Sequence, residues 1–120
     1  MTSFQKRVVL RIAPLRAFVE QLHARLRLKN RWFEVALVDD VEISRLNQAF
    51  RDVAKPTDVL SFGWQSRPKD KSASGPAPRR LAGFLGIIVI SAETARRNAG
   101  REKHSLQVEI RQLILHGILH

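Results

Sequence analysis

The chain has no cysteine, so disulfides, thiolate metal sites and cysteine nucleophiles are excluded, and any metal site must draw on histidines and carboxylates. Long apolar runs are missing too. The longest candidate, Leu85 to Ala92, contains a glycine and a serine and falls well short of the ~18 residues a membrane span needs. The opening stretch MTSFQKRVVLRIAPLR lacks an apolar core followed by small residues, so the sequence predicts no secretory signal and a cytoplasmic protein. Acidic side chains are scarce: 11 Asp and Glu stand against 21 Lys and Arg, a formal net charge of +10. Hydrophobic residues at 44% and charged residues at 27% exclude wholesale disorder and a fibrous repeat. At 120 residues the expectation is one domain, 1–120, around one core.

The positive charge is unevenly placed. Residues 1–31 carry eight basic side chains and one acidic, 32–50 carry one and four, and 93–104 carry four and two. Such an excess favours a polyanionic partner, because lysines and arginines that neutralise phosphates release condensed counterions. An anionic lipid surface or an acidic protein would satisfy the same charge. For Arg25, Arg27, Lys29 and Arg31 individually, a plain solvated helix surface explains the charge equally well.

Hydrophobic spacing gives the element order. Arg7 to Ile12 is β-branched enough for a strand. Pro14 fits a first helical turn, and Leu15, Phe18, Val19, Leu22 and Leu26 follow at helical intervals. Phe33, Val35 and Leu37 alternate as a strand does. Asp39 is placed to cap a helix, with Glu42 in capping-box position and Ile43, Leu46 and Phe50 as its buried stripe. Thr57 to Phe62 reads as a short strand, and 66–80, rich in proline, serine and glycine, as an exposed loop expected to be mobile. Leu85 to Ile90 is a continuous apolar run, the mark of a strand covered on both faces, and Ser91 is placed to cap a helix that stops at Gly100. Ser105 caps a last helix whose leucines and isoleucines surround most of its circumference, predicting burial. The order β, α, β, α, β, β, α, α is an α+β arrangement: a small mixed sheet packed on helices.

On that last helix His116 and His120 are four residues apart, which puts both imidazoles on one face. The same spacing chelates zinc in zinc-peptidase helices, but there the residue after the first histidine is a glutamate acting as general base, and here it is Gly117. Glycine costs a helix interior up to ~1 kcal/mol, so a neighbouring backbone or a substrate is expected to approach closely at that point. Two histidines at this spacing are more often core or capping residues than ligands, and a catalytic site wants three protein ligands. His23 and His104 read as surface residues. Glu109, seven residues before His116 on the same face, is too far along the axis to ligate and suits a supporting role.

Three blocks occur in order: LNQAFRDVAKPTDVLSF at 46–62, LGIIVISAETARRNA at 85–99, and Glu109 with HGILH at 116–120. Together they resemble the YbeY family of bacterial ribosomal RNA maturation endoribonucleases, over roughly the C-terminal two thirds of the chain. The resemblance implies one α+β domain and a Zn²⁺ ion held by the three histidines of His-Gly-x-Leu-His-x-x-Gly-x-Asp-His. His116 and His120 match the first two, and the third would fall six residues after His120, so the motif is incomplete here. It further implies a single-strand-specific, metal-dependent endoribonuclease that matures the small-subunit rRNA 3′ end and serves ribosome quality control. The implied partners are ribosomal RNA and the ribosome or its small-subunit proteins, with no membrane and no small-molecule cofactor.

By the same resemblance Arg51 belongs to the active-site cleft, where a guanidinium can grip a phosphate bidentately and balance charge on a phosphodiester in flight. An ion pair with Asp52 or Asp58 would explain Arg51 equally well. Lys55 is a weaker candidate of the same kind, Arg96, Arg97 and Arg101 add RNA-facing charge, and Asp58 supports the cleft through hydrogen bonds or caps a strand start. Two departures stand out: Ile87 replaces a usual acidic residue, and Gly63 a common proline. Two other readings remain. One is a non-catalytic, basic RNA- or ribosome-binding module, and the other an amphipathic membrane-surface protein using the arginine-rich first helix, whose apolar stripe is better explained as core.

Overall fold

The two inner strands of the sheet decide how everything else is placed. A computed structural model describes residues 1–63 and 83–119. Among them run β1 (Thr2–Ser3), α1 (Ile12–Arg25), β2 (Trp32–Val38), α2 (Asp40–Arg51), β3 (Val59–Phe62), β4 (Phe84–Ser91), α3 (Ala92–Glu102) and α4 (Leu106–Leu119). The strands form one sheet in the order β1-β2-β4-β3. β2 is parallel to β1 and to β4, and β3 is antiparallel to β4. The sheet is small and mixed, as the element order predicts. The loop expected over 66–80 and the second histidine of the pair, His120, lie outside the described residues.

Because side chains alternate along a strand, the unbroken apolar run of β4 feeds two cores. Ile88 and Ile90 join Val35 and Leu37 of β2, Leu15 of α1, Ala95 of α3 and Ile110, Leu113 and Ile114 of α4. Val89 points the other way, to Val38, Ile43 and Leu60 beneath α2. Each fully buried leucine or isoleucine contributes about 1.5–3 kcal/mol from removal of apolar surface from water. The register between β2 and β4 shifts at Leu85, since Trp32 pairs with Phe84 but Phe33 with Gly86. Gly86 has φ of +148°, and a Cβ there would collide with the Phe62 carbonyl oxygen, so the bulge demands glycine.

Several boundaries differ from the sequence reading. No strand forms over Arg7 to Ile12; the first strand is the two-residue β1. The Gln5 side chain accepts from the Val8 amide at 2.9 Å and donates to the Val8 carbonyl at 3.0 Å. With both backbone groups satisfied, buried Val8 needs no ladder partner. α1 follows with Pro14 in its first turn. Asp39 caps α2 by accepting from the Glu42 amide at 2.9 Å, but the Glu42 carboxylate pairs outward with Arg45, so only half of the capping box forms. β3 is shorter than Thr57 to Phe62. α3, capped by Ser91, runs through Gly100 and ends instead at Lys103, whose left-handed backbone (φ 58°) lets the Lys103 and His104 amides reach the Gly100 and Ala99 carbonyls. α4 is capped by Ser105, which accepts from Val108 N at 3.1 Å. It is not buried all round: Ile110 and Ile114 are fully buried, but Leu115 and Leu119 are 40% and 80% exposed.

Candidate active site

The site is assembled where the end of α2, the edge strand β3 and the C-terminal half of α4 converge. Arg51 is the last residue of α2, and Asp52 turns the chain with a left-handed backbone at φ 58°. The irregular stretch that follows is anchored by Asn47, a buried residue of α2 whose Nδ2 donates to the Lys55 carbonyl at 3.0 Å. That anchor returns the chain to β3 at Val59. Arg51 then lies beside β3, its Nη2 donating to the Ser61 carbonyl at 3.4 Å. Across the gap, Ser61 Oγ donates to the Gly117 carbonyl at 3.0 Å and ties β3 to α4. The close approach expected at Gly117 is real, but it is made by side chains. A Cβ there would lie 2.7 Å from Ile88 Cγ2 and 3.0 Å from Ser61 Oγ.

Between these elements is a polar cleft of about 590 Å³, lined by Asn47, Arg51, Thr57, Ser61 and His116 among others. Arg51 and His116, 65 positions apart in the sequence, therefore face one space. The cleft presents a permanently charged planar donor and an imidazole to any ligand that enters, a pairing suited to an anionic ester. Imidazole is an ordinary zinc donor, and the sequence spacing of His116 and His120 fits that use. The described residues alone contain no group of three His, Cys, Asp or Glu side chains able to hold a metal ion.

Behind the cleft is a polar network that sequence reasoning found only in part. Asn98 of α3 donates through Nδ2 to Asp58 Oδ2 at 3.2 Å and to Glu109 Oε2 at 3.4 Å. Glu109, 6% exposed, also meets His104 Nε2 through Oε1 at 2.7 Å. His104 is thus half-buried against a carboxylate, not the surface residue expected. Asp58 is committed to Asn98 through its side chain and to Ser91 N through its carbonyl, at 3.0 Å. This joins the start of β3 to α3 and α4, so Asp58 and Glu109 act together as a frame whose centre, Asn98, carried no sequence signal. Asn47 did carry one, since it follows Ile43 by four residues and so shares the buried stripe of α2.

The remaining cations fall elsewhere. Lys55 is exposed on the loop between α2 and β3. Arg96, Arg97 and Arg101 line a separate groove on α3. Arg97 is drawn inward, its Nη2 pairing with Asp40 Oδ2 at 2.7 Å, and Arg101 donates to Asn98 Oδ1. Burial works against the charged form of Asp40, but hydrogen bonds from Ser91, Thr94 and Arg97 and the Arg97 charge outweigh it and hold the carboxyl below its ordinary value. Ile87 sits on β4 opposite Phe62, with Glu34 as its register partner on β2.

Comparison with known proteins matches residues 5–120 to the family described as Endoribonuclease YbeY. The chain belongs to the YbeY family. It is 41% identical over 97 residues to the Endoribonuclease YbeY of Aquifex aeolicus, covering 79% of this chain and 56% of that one. With the Endoribonuclease YbeY of Moorella thermoacetica it is 45% identical over 87 residues, 72% of this chain and 54% of the relative. The chain thus spans about half the length of the curated relatives it matches. The solution structure of TM1509 from Thermotoga maritima superposes with a TM-score of 0.61 at 25% identity, over 99% of this chain and 69% of that one. The sheet and helices found here are therefore those of a YbeY-like α+β fold. Among the described residues, no helix is long and apolar enough to cross a membrane.

Proposed function

We propose that this YbeY-family chain carries the cleft of a single-strand-specific, metal-dependent endoribonuclease that acts on ribosomal RNA in the cytoplasm. Small-subunit 3′-end maturation and ribosome quality control are its setting, and the ribosome or its small-subunit proteins are its partners. The observation that carries the reading is that Arg51 and His116 line one polar cleft. Arg51 grips the non-bridging oxygens of a phosphodiester and offsets the charge that grows on them as the bond breaks. His116 and His120 are two ligands for zinc, with a further ligand from beyond residue 120. Zinc, when bound, supplies Lewis-acid polarisation of a phosphoryl oxygen and activation of water. Lys55 and the exposed cations of α3, Arg96 foremost, hold flanking phosphates, while Asp58 and Glu109 keep β3 and α4 in place around the cleft.

The test compares zinc content and cleavage of a single-stranded ribosomal RNA fragment for this chain, for a chain continued through a third histidine, and for His116→Ala and Arg51→Ala in the longer form. Cleavage by the longer form, abolished by a chelator and by either substitution, is expected. A longer form that neither binds zinc nor cuts RNA would sink the enzyme reading. RNA affinity with a steep salt dependence, indifferent to chelator and to His116→Ala and unaccompanied by cutting, would instead make the protein a non-catalytic RNA-binding module.

A further inference from the structure

A second cleft, of about 290 Å³, adjoins the polar one, and Ser61 lines both. Its walls are apolar: Phe33 and Leu85 from the central strands, Phe62 from β3, Ile118 from α4, and Leu26 and Leu28 from the turn that follows α1. In that turn the two leucines alternate with Arg25, Arg27, Lys29 and Arg31, all exposed. No acidic residue occurs between Glu20 and Glu34, and among the described residues none of these four cations forms an ion pair with a carboxylate.

The turn is built, not loose. Arg27 N reaches the Ala24 carbonyl at 3.1 Å, Leu28 N the His23 carbonyl at 3.3 Å and Arg31 N the Leu28 carbonyl at 2.9 Å. His23 Nε2 closes it by donating to the Arg31 carbonyl at 2.7 Å. Arg27 and Lys29 both have left-handed backbones, at φ 53° and 57°, which glycine adopts without strain. Asp52 and Lys103 are themselves the left-handed caps of α2 and α3, whereas Arg27 follows Leu26, the right-handed cap of α1, and Lys29 ends no helix. Long cationic side chains thus stand at two strained backbone positions next to Leu26 and Leu28, which wall an apolar cleft that shares Ser61 with the cleft of Arg51 and His116.

We propose that the Arg25–Arg31 turn and the apolar cleft it walls form a subsite for single-stranded RNA, the cations holding phosphates and the cleft taking an unpaired base. Apolar and aromatic side chains accept the face of any base, and only an unpaired base can leave a helix to reach them. The chemistry therefore selects single strands without reading sequence. The inference rests on the endoribonuclease reading for its substrate, but it concerns binding alone and is tested without cutting.

The experiment measures, by fluorescence anisotropy with chelator present, the affinity of a labelled unstructured strand of adenosines and uridines over a range of salt. The double substitution Arg27→Gly with Lys29→Gly keeps the left-handed backbone and removes two charges. Its melting temperature should not fall, while its salt slope should drop by about 1.4, equivalent to about 25-fold weaker binding near 0.1 M salt. Leu85→Gln, at a position already 43% exposed, should weaken single-strand binding and leave the slope unchanged. Unchanged affinity and slope in the glycine variant would overturn the proposal, and if the longer form carrying it still cut RNA the endoribonuclease reading would stand. Unchanged affinity in Leu85→Gln would remove the base from the cleft. Preference for phosphatidylserine vesicles over RNA, lost in the glycine variant, would assign the turn to a membrane surface. Failure of the unaltered protein to bind RNA would overturn the subsite proposal and leave the endoribonuclease reading to the cleavage test on the longer form.

Discussion

Ser61 Oγ donates to the carbonyl of Gly117 at 3.0 Å, so the edge strand and the histidine-bearing helix are held at a fixed distance immediately beside His116. The same residue accepts Arg51 on its own carbonyl, which makes one position of β3 the common reference for both sides of the cleft. That spacing depends on Gly117 having no side chain, because Ile88 and Ser61 fill the room a methyl would need.

Two glycine substitutions should therefore act in opposite directions. Gly100→Ala in α3 meets nothing within 4 Å, and with alanine's better helix propensity it should stabilise the protein by about 0.5–1 kcal/mol. Gly117→Ala gains the same propensity but forces its methyl against Ile88, an overpacking cost of about 1–3 kcal/mol, for a net loss near 1 kcal/mol. Chemical denaturation of both variants checks this. Equal stabilisation would mean that α4 can shift away from β3 at no cost.

Glu109 is the buried acceptor shared by His104 and Asn98. Glu109→Ala leaves His104 without its acceptor and Asn98 with Asp58 alone, and should cost about 1–3 kcal/mol. Glu109→Gln keeps one carbonyl oxygen and should lose clearly less. Urea midpoints of the two variants decide the matter: equal, small losses would show that water replaces the carboxylate and that the frame behind the cleft is not held by it.

How much of this could be read from the chain follows from what each residue depends on. β4, Asp39, Ser91 and Ser105 are legible because capping and two-sided burial are local patterns, and each appears where its residues predict. Arg7 to Ile12 misleads because strand propensity there is overridden by a single side chain, Gln5, that satisfies Val8 from the same turn. The stop expected at Gly100 fails because Lys103 tolerates the left-handed backbone that glycine usually supplies. In the site, Arg51 and His116 come from recognisable motifs, whereas Asn98 and His104 matter only through partners distant in space. Asn98 reaches Asp58 across 40 positions, a relation no local pattern encodes.

Asp40 gives a pH dependence. Its carboxyl in the folded state titrates below its ordinary value of 3.8 because Ser91, Thr94 and Arg97 favour the ionised form over the penalty of burial. A depressed folded value means that its stabilisation is fully present above pH 3.8 and is lost as pH falls through the folded value. The Arg97 contact should thus weaken in acid, loosening α2 from α3. Asp40→Asn should lower stability at neutral pH and narrow the gap to the parent protein as pH falls below 3.8. A difference constant across that range would show that the ionised form is not what Arg97 and the two hydroxyls hold.

Arg51 separates electrostatics from architecture. Its guanidinium is exposed and its one described hydrogen bond, to the Ser61 carbonyl, is 3.4 Å long, so substitution should change stability by no more than about 0.5 kcal/mol. Lysine keeps the charge but not the planar fork, and cannot grip two phosphate oxygens at once. In the chain continued through a third histidine, Arg51→Lys should reduce the rate of single-strand cleavage by about 10²-fold, with a melting temperature close to that of the parent. The loss should appear in kcat more than in KM, because the fork is needed most when charge grows on the phosphodiester. A lysine variant that cuts at the parental rate would reduce Arg51 to a point charge on the cleft wall, and a variant that fails to fold would make its contact with Ser61 structural.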